Sequence, residues 1–241
     1  FNNDGWMDLY VANDYAEPDF MYQNNGDGTF TNVINEQLMH ITNLSMGTDT
    51  GDVNNDGLID LITTDMTPDD HYRAKMNMAS MNSKLFNSMI AAGAHRQYMA
   101  NSLQVNTGKG SFSDVANLSG VSSTDWSWAS LLVDLDNDGY KDIVISNGIR
   151  KDVENNDFLN MLNKLDSTTT SAELFELSKE APSTPLSNVI FKNKGNLEFE
   201  KVSSAWSFDT PSFSSGMAYG DLDNDGDLDL VLNNMESKAF V

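Results

Sequence analysis

Oxygen-bearing side chains recur along this chain at one fixed spacing. In Asp134-Leu-Asp-Asn-Asp-Gly-Tyr-Lys-Asp142, acids or amides stand at relative positions 1, 3, 5 and 9, with Gly139 at position 6. Glycine tolerates a left-handed backbone, so it lets the loop fold back and brings those oxygens toward one point. A hard, oxygen-seeking cation such as Ca²⁺ requires that convergence. The spacing returns in Asp52-Val-Asn-Asn-Asp-Gly-Leu-Ile-Asp60 and in Asp221-Leu-Asp-Asn-Asp-Gly-Asp-Leu-Asp229. A shortened copy, Phe1-Asn-Asn-Asp-Gly-Trp-Met-Asp8, opens the chain with its first ligand position lying before residue 1.

The EF-hand loop begins in the same way but closes its site with a Glu at its twelfth position. Here that position holds Thr63, Ile145 and Leu232, and apolar runs follow the loops. The ninth-position Asp is therefore expected to close the site. The competing reading is a set of Asx-rich turns satisfied by their own backbone. Other chemistry is poorly represented. His40, His71 and His95 share no spacing suited to zinc. No Gly-x-Ser-x-Gly nucleophile motif or phosphate-cradling glycine loop is present. Close carboxylate pairs belong mostly to the loops, leaving Asp65, Asp69, Asp70, Glu154 and Asp157 as the acids open to separate acid/base work.

Against 14 Lys and Arg stand 36 Asp and Glu, a formal net charge of -22. Four bound Ca²⁺ would bring that to about -14, offsetting part of the self-repulsion. Clustered basic residues are absent, which argues against nucleic acid as a partner, and an acidic surface suits anionic lipid equally badly. A hydrophobic content of 39% separates the chain from disordered acidic segments. Without Cys there is no disulfide framework and no thiolate nucleophile. No segment is apolar for long enough to span a bilayer, and no signal peptide opens the chain.

The loops need strands on both sides. Residues 6–12 alternate apolar and polar and read as the strand leaving the first loop. Asn24-Asn-Gly-Asp-Gly-Thr-Phe30 carries the Asn-Gly and Asp-Gly steps of a hairpin, echoed at Asn106-Thr-Gly-Lys-Gly-Ser-Phe112 and Asn193-Lys-Gly-Asn-Leu-Glu-Phe199. Residues 44–50 and 126–133 read as innermost strands entering the second and third loops. Trp126 and Trp128 share a face of the latter strand, for packing between sheets or for stacking on sugar. Met78, Met81, Leu85 and Met89 recur at helical spacing, as do Val153, Phe158, Leu162 and Leu165. A second short helix is expected over 172–177, and Pro182 and Pro185 stop any helix beyond it.

Fifth-position acids Asp4, Asp56, Asp138 and Asp225 lie 52, 82 and 87 residues apart. The shortest interval gives the bare unit, and helical insertions fill the excess. Three or four short strands, a hairpin and a fixed loop make a propeller blade by periodicity; a Ca²⁺-binding β-solenoid has far shorter, glycine-richer repeats. The expectation is an all-β chain, a single β-propeller portion over 1–241. Its repeats run 1–40, 41–120 with an insertion at 66–98, 121–205 with an insertion at 149–187, and an incomplete 206–241.

The nine-residue loop followed by the Asn-Asn-Gly-Asp-Gly-Thr-Phe hairpin resembles the FG-GAP/VCBS-like repeats of integrin-type propellers. More narrowly, it is similar to the cartilage acidic protein family and its bacterial relatives that carry a UnbV/ASPIC domain. The stretches Asp65-Met-Thr-Pro-Asp-Asp-His-Tyr-Arg73, Arg96-Gln-Tyr-Met-Ala-Asn-Ser-Leu-Gln104 and Ser123-Thr-Asp-Trp-Ser-Trp-Ala129 look like those of large secreted or surface proteins of Bacteroidetes-type bacteria. The resemblance implies part of a seven-bladed ring, exported or associated with the outer membrane, with Ca²⁺ between the first two strands of each blade. The implied ligands are Asp52, Asn54, Asp56 and Asp60 with the Leu58 carbonyl; Asp134, Asp136, Asp138 and Asp142 with that of Tyr140; and Asp221, Asp223, Asp225 and Asp229 with that of Asp227. In the opening copy Asn2, Asp4, Asp8 and the Trp6 carbonyl remain. Three full intervals are too few for such a ring, so the chain is expected to be a piece of a longer one or of a larger surface assembly.

The function that follows is a calcium-stabilised extracellular or cell-surface scaffold whose insertions contact a protein subunit or a glycan. The alternative is a polysaccharide-processing enzyme, a glycoside hydrolase or lyase, on the same fold.

Overall fold

The computed structural model describes residues 1–14, 17–77, 83–165 and 168–241. The first sheet holds β1 (Leu9–Val11), β2 (Phe20–Asn24) and β3 (Phe30–Asn32), and one turn of helix, α1 (Ile34–Gln37), follows it. After the two-residue β4 (Ile41–Thr42), a second sheet starts with β5 (Thr48–Gly51) and β6 (Asp60–Thr63). It is interrupted by β7 (Met66–Thr67), α2 (His71–Met76), α3 (Ser83–Ala91) and β8 (Gln97–Tyr98), then completed by β9 (Ser102–Asn106) and β10 (Phe112–Asp114). The third sheet repeats the plan with β11 (Asp125–Val133) and β12 (Asp142–Asn147), an interruption by α4 (Asn156–Leu162) and α5 (Ser171–Ser178), and then β13 (Val189–Asn193) and β14 (Phe199–Lys201). A fourth begins with β15 (Ser214–Gly220) and β16 (Asp229–Asn234).

Neighbours run β5-β6-β9-β10 in the second sheet and β11-β12-β13-β14 in the third, every pair antiparallel. Such meanders are the blades of a propeller. The apolar core lies between the sheets. Val53, Ile62 and Leu103 of the second pack with Leu132, Ile143 and Phe191 of the third. Met21 and Leu38 pack with Leu61 and Phe112, and Val144 and Ile190 meet Met217 and Leu230 of the fourth. Both faces of a middle blade are covered, so β9 and β12 are buried along their whole length instead of alternating. Each such Leu, Ile or Val contributes about 1.5–3 kcal/mol by leaving water. Innermost segments approach closely enough that glycine is required: a Cβ on Gly148, whose φ is 126°, would meet the Ser212 carbonyl oxygen at 2.7 Å.

Two regions depart from the sequence reading. The segment 44–50 was expected to be strand throughout, yet β5 starts only at Thr48. The N–H groups of Asn43 and Leu44 are held by the Asp65 carboxylate (2.9 and 3.1 Å), and Met46 and Gly47 keep two backbone bonds with Thr64 (2.9 and 2.8 Å) ahead of the regular ladder. The stretch 66–98 is not purely helical. At its start β7 leaves its own blade and adds a fifth strand to the next through Asp125↔Thr67 and Trp126↔Met66; near its end β8 pairs in parallel with β4. Met78 and Met81 lie outside the described residues; Leu85 and Met89 lie on α3. In the second insertion α4 buries Phe158, and α5 is capped at its N-terminus by a capping box between Thr170 and Glu173.

The two insertions dock on each other. Arg73 of α2 donates to both Asp125 oxygens (2.6 and 2.9 Å) and lies 3.5 Å from buried Asp152, while the Asn156 amide reaches the Lys75 carbonyl at 2.7 Å. Among the described residues no helix is long and apolar enough to cross a membrane.

Candidate metal-binding loops

The nine-residue loops join the first and second strands of successive blades: 52–60 links β5 to β6, 134–142 links β11 to β12, and 221–229 links β15 to β16. Residues 2–8 precede β1. Each turns twice through left-handed backbone. The fourth-position residues Asn3, Asn55, Asn137 and Asn224 have φ of 57°, 58°, 56° and 64°, and the sixth-position Gly5, Gly57, Gly139 and Gly226 have φ of 87°, 83°, 89° and 95°. Asn is among the few residues with a side chain that visit this region readily.

Backbone N–H groups aim the carboxylates. The first-position Asp134 accepts from the N–H groups of Asp138 (3.1 Å) and Gly139 (2.9 Å), and Asp52 and Asp221 accept from the corresponding pairs. Fifth-position acids accept from the residue two further on: Asp4 from Trp6 at 2.8 Å, and Asp56, Asp138 and Asp225 from Leu58, Tyr140 and Asp227 at 2.9 Å each. At the third position Asn54 and Asp223 accept from the N–H of Asp56 (3.1 Å) and Asp225 (3.2 Å), and Asn2 donates to Asp4 at 2.8 Å. These are the bonds of Asx turns, and each leaves its carboxylate further lone pairs. The result is convergence: ligand oxygens of Asp134, Asp136 and Asp138 lie within 4.8 Å of one another, as do those of Asp221, Asp223 and Asp225. Carboxylates this close repel one another unless a cation or proton joins them. An all-oxygen donor set on a tight, glycine-bearing loop fits Ca²⁺ and lacks the nitrogen or sulfur that zinc favours.

The ninth-position acids stand outside both groups. Asp60 takes the Val53 N–H (2.9 Å) on one oxygen and the Asn106 N–H (2.8 Å) on the other; Asp142 does the same with Leu135 (3.1 Å) and Asn193 (2.9 Å). Asp8 accepts from the Asn24 N–H at 2.8 Å, and Asp229 from Leu222 at 2.9 Å. Burial pushes Asp60 up to about 6 and raises Asp142, with the backbone N–H groups opposing the shift. Asp8, Asp60 and Asp142 thus latch their loops to the hairpin strand of the same sheet, while Asp229 holds the start of its own loop.

Their partners are residues that the sequence reading passed over. Asn106 and Asn193 donate to the eighth-position carbonyl of their own loop, Ile59 at 3.3 Å and Lys141 at 3.0 Å. They also donate to the preceding loop, at Phe1 and Val53, both at 2.8 Å. The same Asn side chains accept from Gly108 (3.0 Å) and Gly195 (2.9 Å), as Asn24 does from Gly26. Fourth-position Asn residues bridge forward, Asn3 to Gly57, Asn55 to Gly139 and Asn137 to Gly226, at 3.3, 3.0 and 3.4 Å. The recurrence of Asn at both places was the available signal. At the opposite end of the blades a second series joins Asp19 to Ser45 (2.9 Å), Asn101 to Thr124 (2.7 Å) and Asn188 to Ser214 (3.0 Å).

Three of the other acids have separate partners. Asp65 accepts from Asn43, Leu44 and Met66, Asp70 caps α2 through the Arg73 N–H, and Asp69 pairs with Lys201. Trp126 is buried against Met66 and Leu186, and Trp128 packs on the same cluster. His40 contacts Asp114 at 2.7 Å, while His95 contacts the Leu38 carbonyl.

Residues 1–63, 89–145 and 180–232 match the FG-GAP-like repeat family. The match lapses over 64–88 and 146–179, which contain β7, α2, α4 and α5. No curated protein matches the chain.

Proposed function

The chain belongs to the FG-GAP-like repeat family, and from that premise we propose that it is a calcium-stabilised propeller scaffold, outside the cell or on its surface, that binds a protein partner. The observation that carries the proposal is the convergence of three carboxylates within 4.8 Å at the same place in two successive blades. One Ca²⁺ in each complete loop would be held by Asp52, Asn54 and Asp56, by Asp134, Asp136 and Asp138, and by Asp221, Asp223 and Asp225. The carbonyls of Leu58, Tyr140 and Asp227 complete the sets. Asp60, Asp142 and Asp229 keep lone pairs beyond their N–H bonds with which to close them. The opening loop offers Asn2, Asp4, Asp8 and the Trp6 carbonyl. Such sites serve best where Ca²⁺ is millimolar, outside cells. The repeat boundaries 1–40, 41–120, 121–205 and 206–241, the kinship with the cartilage acidic protein group and an outer-membrane setting belong to the same proposal.

Calcium in these loops is structural, because it ties the first two strands of a blade together. Contacts then fall to the insertions, where α3 exposes Leu85 and α5 exposes Leu174 and Phe175. Exposed apolar helical residues suit a protein surface better than a glycan. The enzyme reading is narrowed, because Asp65 and Asp70 are engaged by backbone N–H groups and Asp69 by Lys201, which leaves it Glu154 and Asp157. The test is a melting curve in millimolar Ca²⁺ and in excess EDTA, with metal content measured, beside a glycan panel scored for retention and for new reducing ends. A higher melting temperature in Ca²⁺ with no turnover supports the scaffold. Identical curves overturn the calcium part, and new reducing ends or unsaturated products overturn the binding role.

A further inference from the structure

Building on that calcium reading, we infer that Lys192 is a tethered counter-cation of the third loop, displaced when the loop takes up Ca²⁺, and that it weakens this site relative to the fourth. Lys192 lies on β13 beside Asn193, the residue that latches the loop. Its ammonium pairs with Asp136 and stands 3.2 Å from Asp138. Both acids belong to the group whose oxygens converge within 4.8 Å. The residues in the same register, each preceding its latch Asn, are Gln23 and Val105, and neither carries charge. Among the described residues no Lys or Arg pairs with Asp221, Asp223 or Asp225, which form the matching group of the fourth loop.

The charges explain the arrangement. The third loop has an acid at each of positions 1, 3, 5 and 9, whereas the second has Asn54 at the third. At those four positions alone, Lys192 offsets the one carboxylate that the third loop has beyond the second; Lys141, at the eighth position, is the third loop's own cation. Calcium entering among Asp134, Asp136 and Asp138 would meet the ammonium at two of the same carboxylates. A lysine head is a compact, well-hydrated charge on a flexible stem, so it withdraws to solvent instead of sharing the site. Its ion pairs are the cost that binding must overcome. The metal-free third loop is held together by Lys192, and the metal-free fourth loop is not.

Tyr140 supplies a local readout, since the seventh position of the other complete loops is Leu58 or Asp227. Terbium bound in the third loop and excited through Tyr140 would report that site, and Ca²⁺ would compete it away; Tyr140→Leu, made in a chain with Trp6 and Trp206 changed to Leu, should remove the third-loop signal. Lys192→Met and Lys192→Gln are expected to lower the Ca²⁺ midpoint about tenfold, roughly the loss of one or two exposed ion pairs. The same variants should lower the melting temperature of the EDTA-treated protein, an opposite sign that loss of packing alone would not produce. Unchanged or weakened Ca²⁺ binding in both variants, with wild-type circular dichroism, overturns the role of Lys192. If calorimetry finds no Ca²⁺ bound by wild type or variants, the calcium reading falls with it. Equal midpoints with Ca²⁺ bound remove the Lys192 inference alone.

Discussion

Replacing Asn193 with alanine tests whether the hairpin Asn is the piece that joins loop, hairpin and preceding blade. Asn193 is fully buried, and its side chain makes three bonds: to the Val53 carbonyl at 2.8 Å, to the Lys141 carbonyl at 3.0 Å and from the Gly195 N–H at 2.9 Å. A buried hydrogen bond is worth about 1 kcal/mol net, and a partner left unsatisfied costs about 1–3 kcal/mol. With some relaxation, Asn193→Ala is expected to cost about 3–5 kcal/mol. Asn24→Ala, whose Asn24–Met7 bond is exposed, should cost about 1 kcal/mol. Urea unfolding in saturating Ca²⁺ would measure both, with an unchanged denaturant slope showing that the unfolded state is the same. Asn193→Asp should be at least as damaging as alanine, because it turns a carboxylate toward two carbonyls. A loss below about 1 kcal/mol for Asn193→Ala, or equal losses at Asn24 and Asn193, would refute the reasoning.

Asp65 is buried and pushed up to about 6 from an ordinary 3.8. The folded state thus holds the proton more tightly than the unfolded one. This group's stability contribution is fullest below the unfolded value, falls as pH rises through about 6 and is flat beyond. The swing is at most about 3 kcal/mol, and melting temperature against pH should decline less steeply for Asp65→Asn between those limits; parallel curves would contradict this. Arg73→Met would leave Asp125 and Asp152 against each other without their cation, at a cost of about 3–5 kcal/mol. Limited proteolysis should then cut within 66–98 sooner than in wild type, and an unchanged digestion pattern would count against docking of the insertions.

The loops were legible because their order is local. Asp134, Asp138 and Gly139 lie within six residues, and their bonds follow from Asx chemistry. Blades were legible from the return of the loop at intervals that the strands and a hairpin fill. What stayed hidden depends on partners distant in sequence. The bond from Asn193 to Val53 spans 140 residues, so nothing near Asn193 discloses it. β7 and β8 have two residues each, too few for alternation, and exist because a neighbouring strand offers an edge. The hold of Asp65 on the N–H groups of Asn43 and Leu44 is likewise distant in sequence, so the irregular entry to β5 was not legible. The ninth-position acids were read only as ligands because spacing shows where an oxygen stands, not how many N–H groups already reach it.

Equilibrium dialysis of the EDTA-stripped chain against millimolar Ca²⁺, followed by metal analysis, tests the central claim most directly. One ion for each of the three complete loops is expected, falling by one when Asp225 is changed to Asn and by another when Asp138 is changed as well. A folded chain that emerges with no Ca²⁺, or whose uptake ignores both substitutions, would contradict the account.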